Sequence, residues 1–173
     1  MRVIIMQGIP GSGKTNWFKR SKAATYVEAD FGSNREIYWE HFSADHFFEE
    51  LGHFDPSKLG EAHGACLREY LESLLGWRQT RHTHRLASQD VNTNLVVDNT
   101  NTSLVEIAPY VALAQAYDVE VEFVRVHCDP ETAFQRQTHG VPLADIQAMD
   151  QQLRELVLPP FWKYKLTEVT ESP

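Results

Sequence analysis

Eight residues near the N-terminus, Gly8 to Thr15 (GIPGSGKT), have the types and the spacing to hold a chain of phosphates. They fit G-x-x-x-x-G-K-[ST], the phosphate-binding loop. Gly8, Gly11 and Gly13 let the backbone curl until successive N–H groups point inward, with no side chain in the way. The backbone from Gly11 through Ser12 and Gly13 to Thr15 would cradle the phosphates. Lys14 brings a mobile positive charge to the β- and γ-phosphates, and the Thr15 hydroxyl suits a ligand position on Mg²⁺. A Gly-rich turn can match so short a pattern. Here, however, the apolar run Val3 to Met6 reads as a buried parallel strand, and Thr15 to Arg20 continue as a helix whose N-terminal dipole favours an anion. The expected ligands are ATP and Mg²⁺.

Three further residues could act on a bound phosphate chain. Asp98 closes the apolar run Asn94 to Asp98 (NLVVD), where it would hold Mg²⁺ directly or through water. It could equally cap a turn with Asn99 and Thr100. Asp45 lies just past the expected second strand. A carboxylate there could orient a hydroxyl acceptor and take its proton, yet Ser43-Ala44-Asp45 is also a good helix cap. Arg136, on a helix after the last core strand, could fold over the phosphates and neutralise developing charge, or it could be a solvated surface arginine. The eight histidines show no metal-binding spacing. The only basic cluster, Gly76 to Arg85 (GWRQTRHTHR), combines Arg78, Arg81 and Arg85 with Trp77. It could grip a nucleic-acid backbone and stack on a base, or it could be a solvated loop.

Elements must bring these residues together. With 173 residues, 42% hydrophobic and 23% charged, the chain reads as one soluble globular domain. No run is long enough for a transmembrane helix, and none has the layout of an export signal. Cys66 and Cys128 make no disulfide framework, so reduced thiols and a cytoplasmic setting are expected. The net charge of −8 argues against nonspecific coating of nucleic acid.

The second strand is expected in one of two β-prone runs, Thr25 to Ala29 or Ile37 to Ser43, with Asp30 to Glu36 as a loop. Ser57 to Trp77 has helical apolar spacing, with Ser57 as a reasonable N-cap. Ser103 to Tyr117 is the next helix, containing or broken by Pro109. Val119 to Val126 is a strand and Pro130 to Gln137 a short helix. Leu143 to Leu156 form a last helix stopped by Pro159-Pro160, and Tyr164 to Val169 an edge strand. Strands alternating with helices imply an α/β fold, a parallel sheet with helices on both faces. In such a sheet the ligand sits beyond the carboxyl ends of the strands, which would gather Gly8–Thr15, Asp45 and Asp98 on one rim.

Seven segments carry a resemblance: GIPGSGKT, SADHFF (Ser43–Phe48), HFDP (His53–Pro56), EAHGAC (Glu61–Cys66), VVDNTN (Val96–Asn101), Pro109-Tyr110 and HGVP (His139–Pro142). In order and spacing they resemble polynucleotide-kinase-like P-loop proteins, most of all the compact branch that includes phage 5-hydroxymethyluracil DNA kinases. The resemblance spans roughly Met1 to Met149. It implies a kinase fold, ATP, Mg²⁺ and a hydroxyl acceptor on a polynucleotide, with Asp45 matching the catalytic Asp and Arg136 the lid Arg. Two departures stand out. His46 occupies the place of a second acid, and Asp30 to His41 looks inserted. There is no room for the 3′-phosphatase domain that end-healing kinases often carry.

The expected function is therefore a kinase that moves the γ-phosphate of ATP to the hydroxymethyl group of 5-hydroxymethyluracil in DNA. A 5′-OH polynucleotide kinase would use the same atoms on a strand end. A nucleotide-switched binding module would bind ATP without transfer. The choice of DNA or RNA and the oligomeric state stay open at this level.

Overall fold

The computed structural model describes residues 1–29, 35–86 and 90–170; the side chains of 26–29, 35–36, 78–86 and 90–91 lie outside that description. In chain order the elements are β1 (Arg2–Gln7), α1 (Lys14–Ala29), β2 (Arg35–Phe42), α2 (Ala44–Leu51), a 3₁₀ turn (Pro56–Lys58), α3 (Leu59–Leu86), β3 (Asp90–Val97), α4 (Leu104–Ala116), β4 (Glu120–His127), α5 (Pro130–Arg136), α6 (Leu143–Glu155) and β5 (Lys165–Thr170). The strands form one sheet in the order β2-β3-β1-β4-β5, with every neighbouring pair parallel. It is the expected α/β architecture.

Side-chain alternation along β1 explains the layering. Val3 and Ile5 face one layer, packed with Tyr70 and Leu74 of α3 and Tyr110 and Val111 of α4. Ile4 and Met6 face the other, packed with Phe18 of α1. Both faces of the central strand are covered, so β1 reads as an unbroken apolar run. The connection out of β1 runs toward β2 on one side of the sheet and the connection out of β4 toward β5 on the other. A crevice opens at the carboxyl end of β1, where a ligand site is expected.

The second strand is the Ile37 run. Thr25 to Ala29 instead prolong α1. The Thr25 hydroxyl donates to the carbonyl of Lys22 at 2.7 Å and accepts from the Trp39 indole of β2 at 3.0 Å. A β-prone composition is overridden by docking of the helix on the sheet. Of the stretch Asp30 to His41, residues 30–34 lie outside the described residues, and Arg35 onward form the edge strand β2, paired with β3 from Arg35↔Asp90 to Phe42↔Val97.

The start of α3 also differs from expectation. Asp55, not Ser57, is the capping residue: its carboxylate accepts from the Ser57 backbone N–H and begins the 3₁₀ turn before Leu59. The backbone of Arg78 to Arg85 is helical rather than a loop; the basic side chains expected there lie outside the described residues. Pro109 sits inside α4 without ending it. It removes one i→i−4 bond, while the Ser103–Glu106 capping box and the buried Ile107, Tyr110, Val111 and Ala114 hold the helix. α6 ends at Glu155, before Pro159-Pro160. β5 is the expected edge strand. Cys66 and Cys128 are both free thiols, the first buried and the second half-buried. Among the described residues no helix is long and apolar enough to cross a membrane.

Candidate active site

β1 delivers the chain to the loop under restraint. The Gly8 N–H donates to the carbonyl of Thr100 at 3.0 Å, and the Ser12 N–H to that of Ile9 at 3.1 Å. Gly11 and Gly13 have φ of 79° and 98°, the left-handed region that favours glycine. A Cβ on Gly11 would overlap the Ala133 carbonyl of α5. Lys14 folds back over the loop, donating to the carbonyls of Gly8 (3.0 Å) and Ile9 (3.1 Å). The Ser12 hydroxyl is buried without a partner, an uncommon state for a buried polar atom. An orphaned donor inside a glycine-walled loop fits a phosphate oxygen.

Asp98, the first residue after β3, is the hub of the polar contacts. Its Oδ2 accepts from the Thr15 hydroxyl at 2.9 Å and lies 3.0 Å from His41 Nε2. His41 Nδ1 in turn lies 3.2 Å from His46 Nε2, and the His41 ring stacks on Phe18 with centroids 4.6 Å apart. Burial pushes the Asp98 carboxyl up. The His41 contact, the Lys14 charge and the Thr15 hydroxyl outweigh it and hold the carboxyl below its ordinary range. Thr15 and Asp98 together offer the all-oxygen chemistry that Mg²⁺ takes. Among the described residues no group of three or more His, Cys, Asp or Glu side chains is placed to hold a metal, so this pair would supply only part of a coordination shell.

The residues after Asp98 tie three elements together. Asn99 Oδ1 accepts from the Ala44 N–H at the start of α2, at 2.8 Å. Asn101, in the left-handed region at φ 49°, donates to the Met6 carbonyl at 2.7 Å. Its own carbonyl accepts from the Gln7 amide. Ser43 accepts from the Asp45 N–H and donates to the Asp98 carbonyl at 3.0 Å. The cap is real, and Asp45 is nonetheless presented to the crevice. As the second residue of α2, it has its backbone fixed by the cap and its carboxylate left outside it.

Arg136 ends α5, and the turn His139–Pro142 leads into α6. These segments form the far wall of a cleft of about 770 Å³. Lys14, Thr15, Asp98, Asp45 and Arg136 all line it, with Gly11 and Gly13 of the loop. Gly8 and Ser12 lie beneath its surface, buried. Away from the loop, the cleft is walled by Phe48, Phe54, Leu59, Val141 and Met149. Sequence reasoning did not single out His41. Once β2 is in register, alternation puts it beside Asp98, but with two candidate second strands no such register could be drawn. His139 was seen only as part of a motif, because its partner lies 94 positions away (139 minus 45).

A parallel sheet in this order, with the phosphate loop at the switch point and an acid closing the neighbouring strand, defines a P-loop kinase-like protein with a nucleotide-binding fold. Residues 3–156 match the family model described as an AAA domain, and the chain belongs to that family. Human NEDD4-binding protein 2 is 29% identical over 164 residues, 91% of this chain. The chain spans only 8% of that relative's length. Among solved structures, a presumed kinase from Chloroflexus aurantiacus superposes with a TM-score of 0.57 at 17% identity, over 98% of this chain and 84% of the other. Kti12 of Chaetomium thermophilum, solved in complex with ADP-AlF3, gives 0.57 at 14% identity, over 97% and 88%. These two likenesses concern the fold.

Proposed function

We propose that the chain is an ATP-dependent phosphotransferase whose acceptor is a hydroxyl on DNA, preferentially the hydroxymethyl group of 5-hydroxymethyluracil. The observation that carries the phosphotransfer reading is the cleft itself. A phosphate loop forms one wall, and across it stands Asp45, a carboxylate outside the Thr15–Asp98 pair. In transfer, the acceptor oxygen bonds to the γ-phosphorus as the bond from that phosphorus to the β–γ bridging oxygen breaks, releasing ADP. The acceptor proton passes to Asp45. Lys14 and Arg136 spread the charge on the phosphoryl oxygens, and the loop backbone orients the chain of phosphates. Thr15 and Asp98 would hold Mg²⁺, which supplies charge neutralisation when bound.

The DNA acceptor is supported by the motif resemblance set out above and by the apolar end of the cleft. A base swung out of a duplex could rest against Phe48 and Phe54 there. Such a reaction belongs where ATP and DNA meet, in a cytoplasm. The test offers labelled ATP with covalently closed circular DNA, with and without 5-hydroxymethyluracil, and with an unmodified linear strand bearing a 5′-OH. Labelling of the modified circle is the expected result. Labelling of the linear strand alone would move the acceptor to the 5′ end. ATP binding with no labelled DNA at all would leave a nucleotide-switched binding module in place of a DNA kinase.

A further inference from the structure

His139 stands on the turn between α5 and α6, and Asp45 stands in the first turn of α2. Their side chains meet across the cleft, His139 Nε2 lying 3.5 Å from Asp45 Oδ2. Both remain open to an entering molecule, at 40% and 53% exposure. The imidazole is also in ring contact with Phe54, centroids 5.9 Å apart, so it is held from two sides of the acceptor half of the cleft.

The turn does not need this side chain for its shape. Gln137 braces it alone: Oε1 accepts from the N–H groups of His139 (2.9 Å) and Val141 (3.2 Å), and Nε2 donates to the Val141 carbonyl (3.3 Å). Gly140 supplies the left-handed residue, at φ 68°. His139 is thus an imidazole delivered by a self-supporting turn to one oxygen of one carboxylate. At 3.5 Å the two groups are in electrostatic contact, longer than an ordinary hydrogen bond, and a carboxylate drawn to a neighbour through one oxygen keeps the other as an acceptor.

We infer that His139 is the positioning residue for Asp45: it engages Oδ2 and so aims Oδ1 at the acceptor hydroxyl when the turn lies across the cleft. The inference rests on the phosphotransfer reading. It adds to that reading the device that orients the proton acceptor, and it couples that orientation to the wall carrying Arg136. A carboxylate on an exposed helix turn otherwise samples several rotamers, only some of which face the cleft. Misplacing a proton acceptor by about 1 Å can cost on the order of 100-fold in rate.

The test is a double-mutant cycle with His139→Ala, Asp45→Asn and the double variant, together with His139→Gln, whose amide places a donor near the lost Nε2. The readouts are kcat, KM for the acceptor and, separately, nucleotide affinity by calorimetry. His139→Ala is expected to lower kcat by about 10- to 100-fold with nucleotide affinity unchanged. His139→Gln should restore most of that loss, and the double variant should be no slower than Asp45→Asn alone, because positioning has no value once the proton acceptor is gone. Full additivity, a loss confined to nucleotide affinity, or failure of glutamine to rescue would overturn the inference while leaving the kinase reading intact. A wild-type protein that transfers phosphate to no acceptor hydroxyl would overturn both.

Discussion

Lys14 is pressed against the carbonyls of its own loop, and burial pushes its ammonium below the ordinary 10.5, against the pull of Asp98 and Asp45. In the free protein the unfolded chain is therefore the stronger proton binder at this residue. The resulting penalty on stability fades as pH rises toward 10.5. A bound polyphosphate favours the charged form and raises the pKa again. Binding should then take up a proton in the pH window between the free and bound values. ATP affinity is expected to weaken as pH rises through that window, and the enthalpy of binding to vary with the ionisation heat of the buffer. Lys14→Ala should lose both effects and abolish transfer. Transfer within a few-fold of wild type would remove Lys14 from the mechanism.

Asp98 has the opposite sign. Its carboxyl is held below the ordinary 3.8, so its contribution to stability is present above that value and vanishes as pH falls through the folded one. The stability gap between wild type and Asp98→Asn should accordingly be widest near neutrality and close on acidification, as read by denaturant unfolding at a series of pH values. A gap independent of pH would mean that the carboxylate charge contributes nothing.

Among the elements, α4 shows how a helix with an internal proline is kept. Its N-terminus carries a complete capping box: Ser103 Oγ accepts from the Glu106 N–H, and the Glu106 carboxylate accepts from the Ser103 N–H at 2.9 Å. Pro109 forfeits one internal hydrogen bond, so the cap matters more than usual. Ser103→Ala should cost about 1 kcal/mol in a chemical melt. Because α4 packs on the same core as β1, the loss should appear as a shift of the whole transition rather than as local fraying. Nucleotide affinity should be untouched. Glu106 also lines the cleft, so a weakened affinity would show that the capping box shapes the site as well as the helix.

On the scale of the whole molecule, the loop, the end of β3 and the start of α2 are joined through Thr100, Asn99, Asn101 and Ser43, so filling the cleft should stabilise the chain as a unit. A ligand at 100 times its Kd adds about 2.7 kcal/mol if it binds only the folded state. Asp45→Asn should keep that stabilisation by ATP while turnover falls by roughly 100-fold or more. Lys14→Ala should lose the stabilisation along with the transfer. Thermal melts with and without ATP, run beside turnover assays, separate the two. If Asp45→Asn bound and turned over like wild type, Asp45 would be no more than the second residue of a capped helix.

What the amino-acid sequence determined by itself was whatever local chemistry dictates. A glycine-walled loop between an apolar strand and a helix could be read from Gly8 to Thr15, because those residue types have few other uses at that spacing. The strands at Val3 and Leu95, the helix starts at Ser103 and Pro130 and the parallel alternation were legible for the same reason. Tertiary structure decided the rest. Thr25 to Ala29 and Ile37 to Phe42 have similar strand propensity, and only docking on β3 selects the second, with the Trp39 indole tying Thr25 into α1. Ser57 and Asp55 both suit a helix start, and the conformation of the turn gave the cap to Asp55. The contacts of His41 with Asp98 and of His139 with Asp45 join residues 57 and 94 positions apart. No periodicity encodes such pairs, since they exist only where separate elements converge at the carboxyl edge of one sheet.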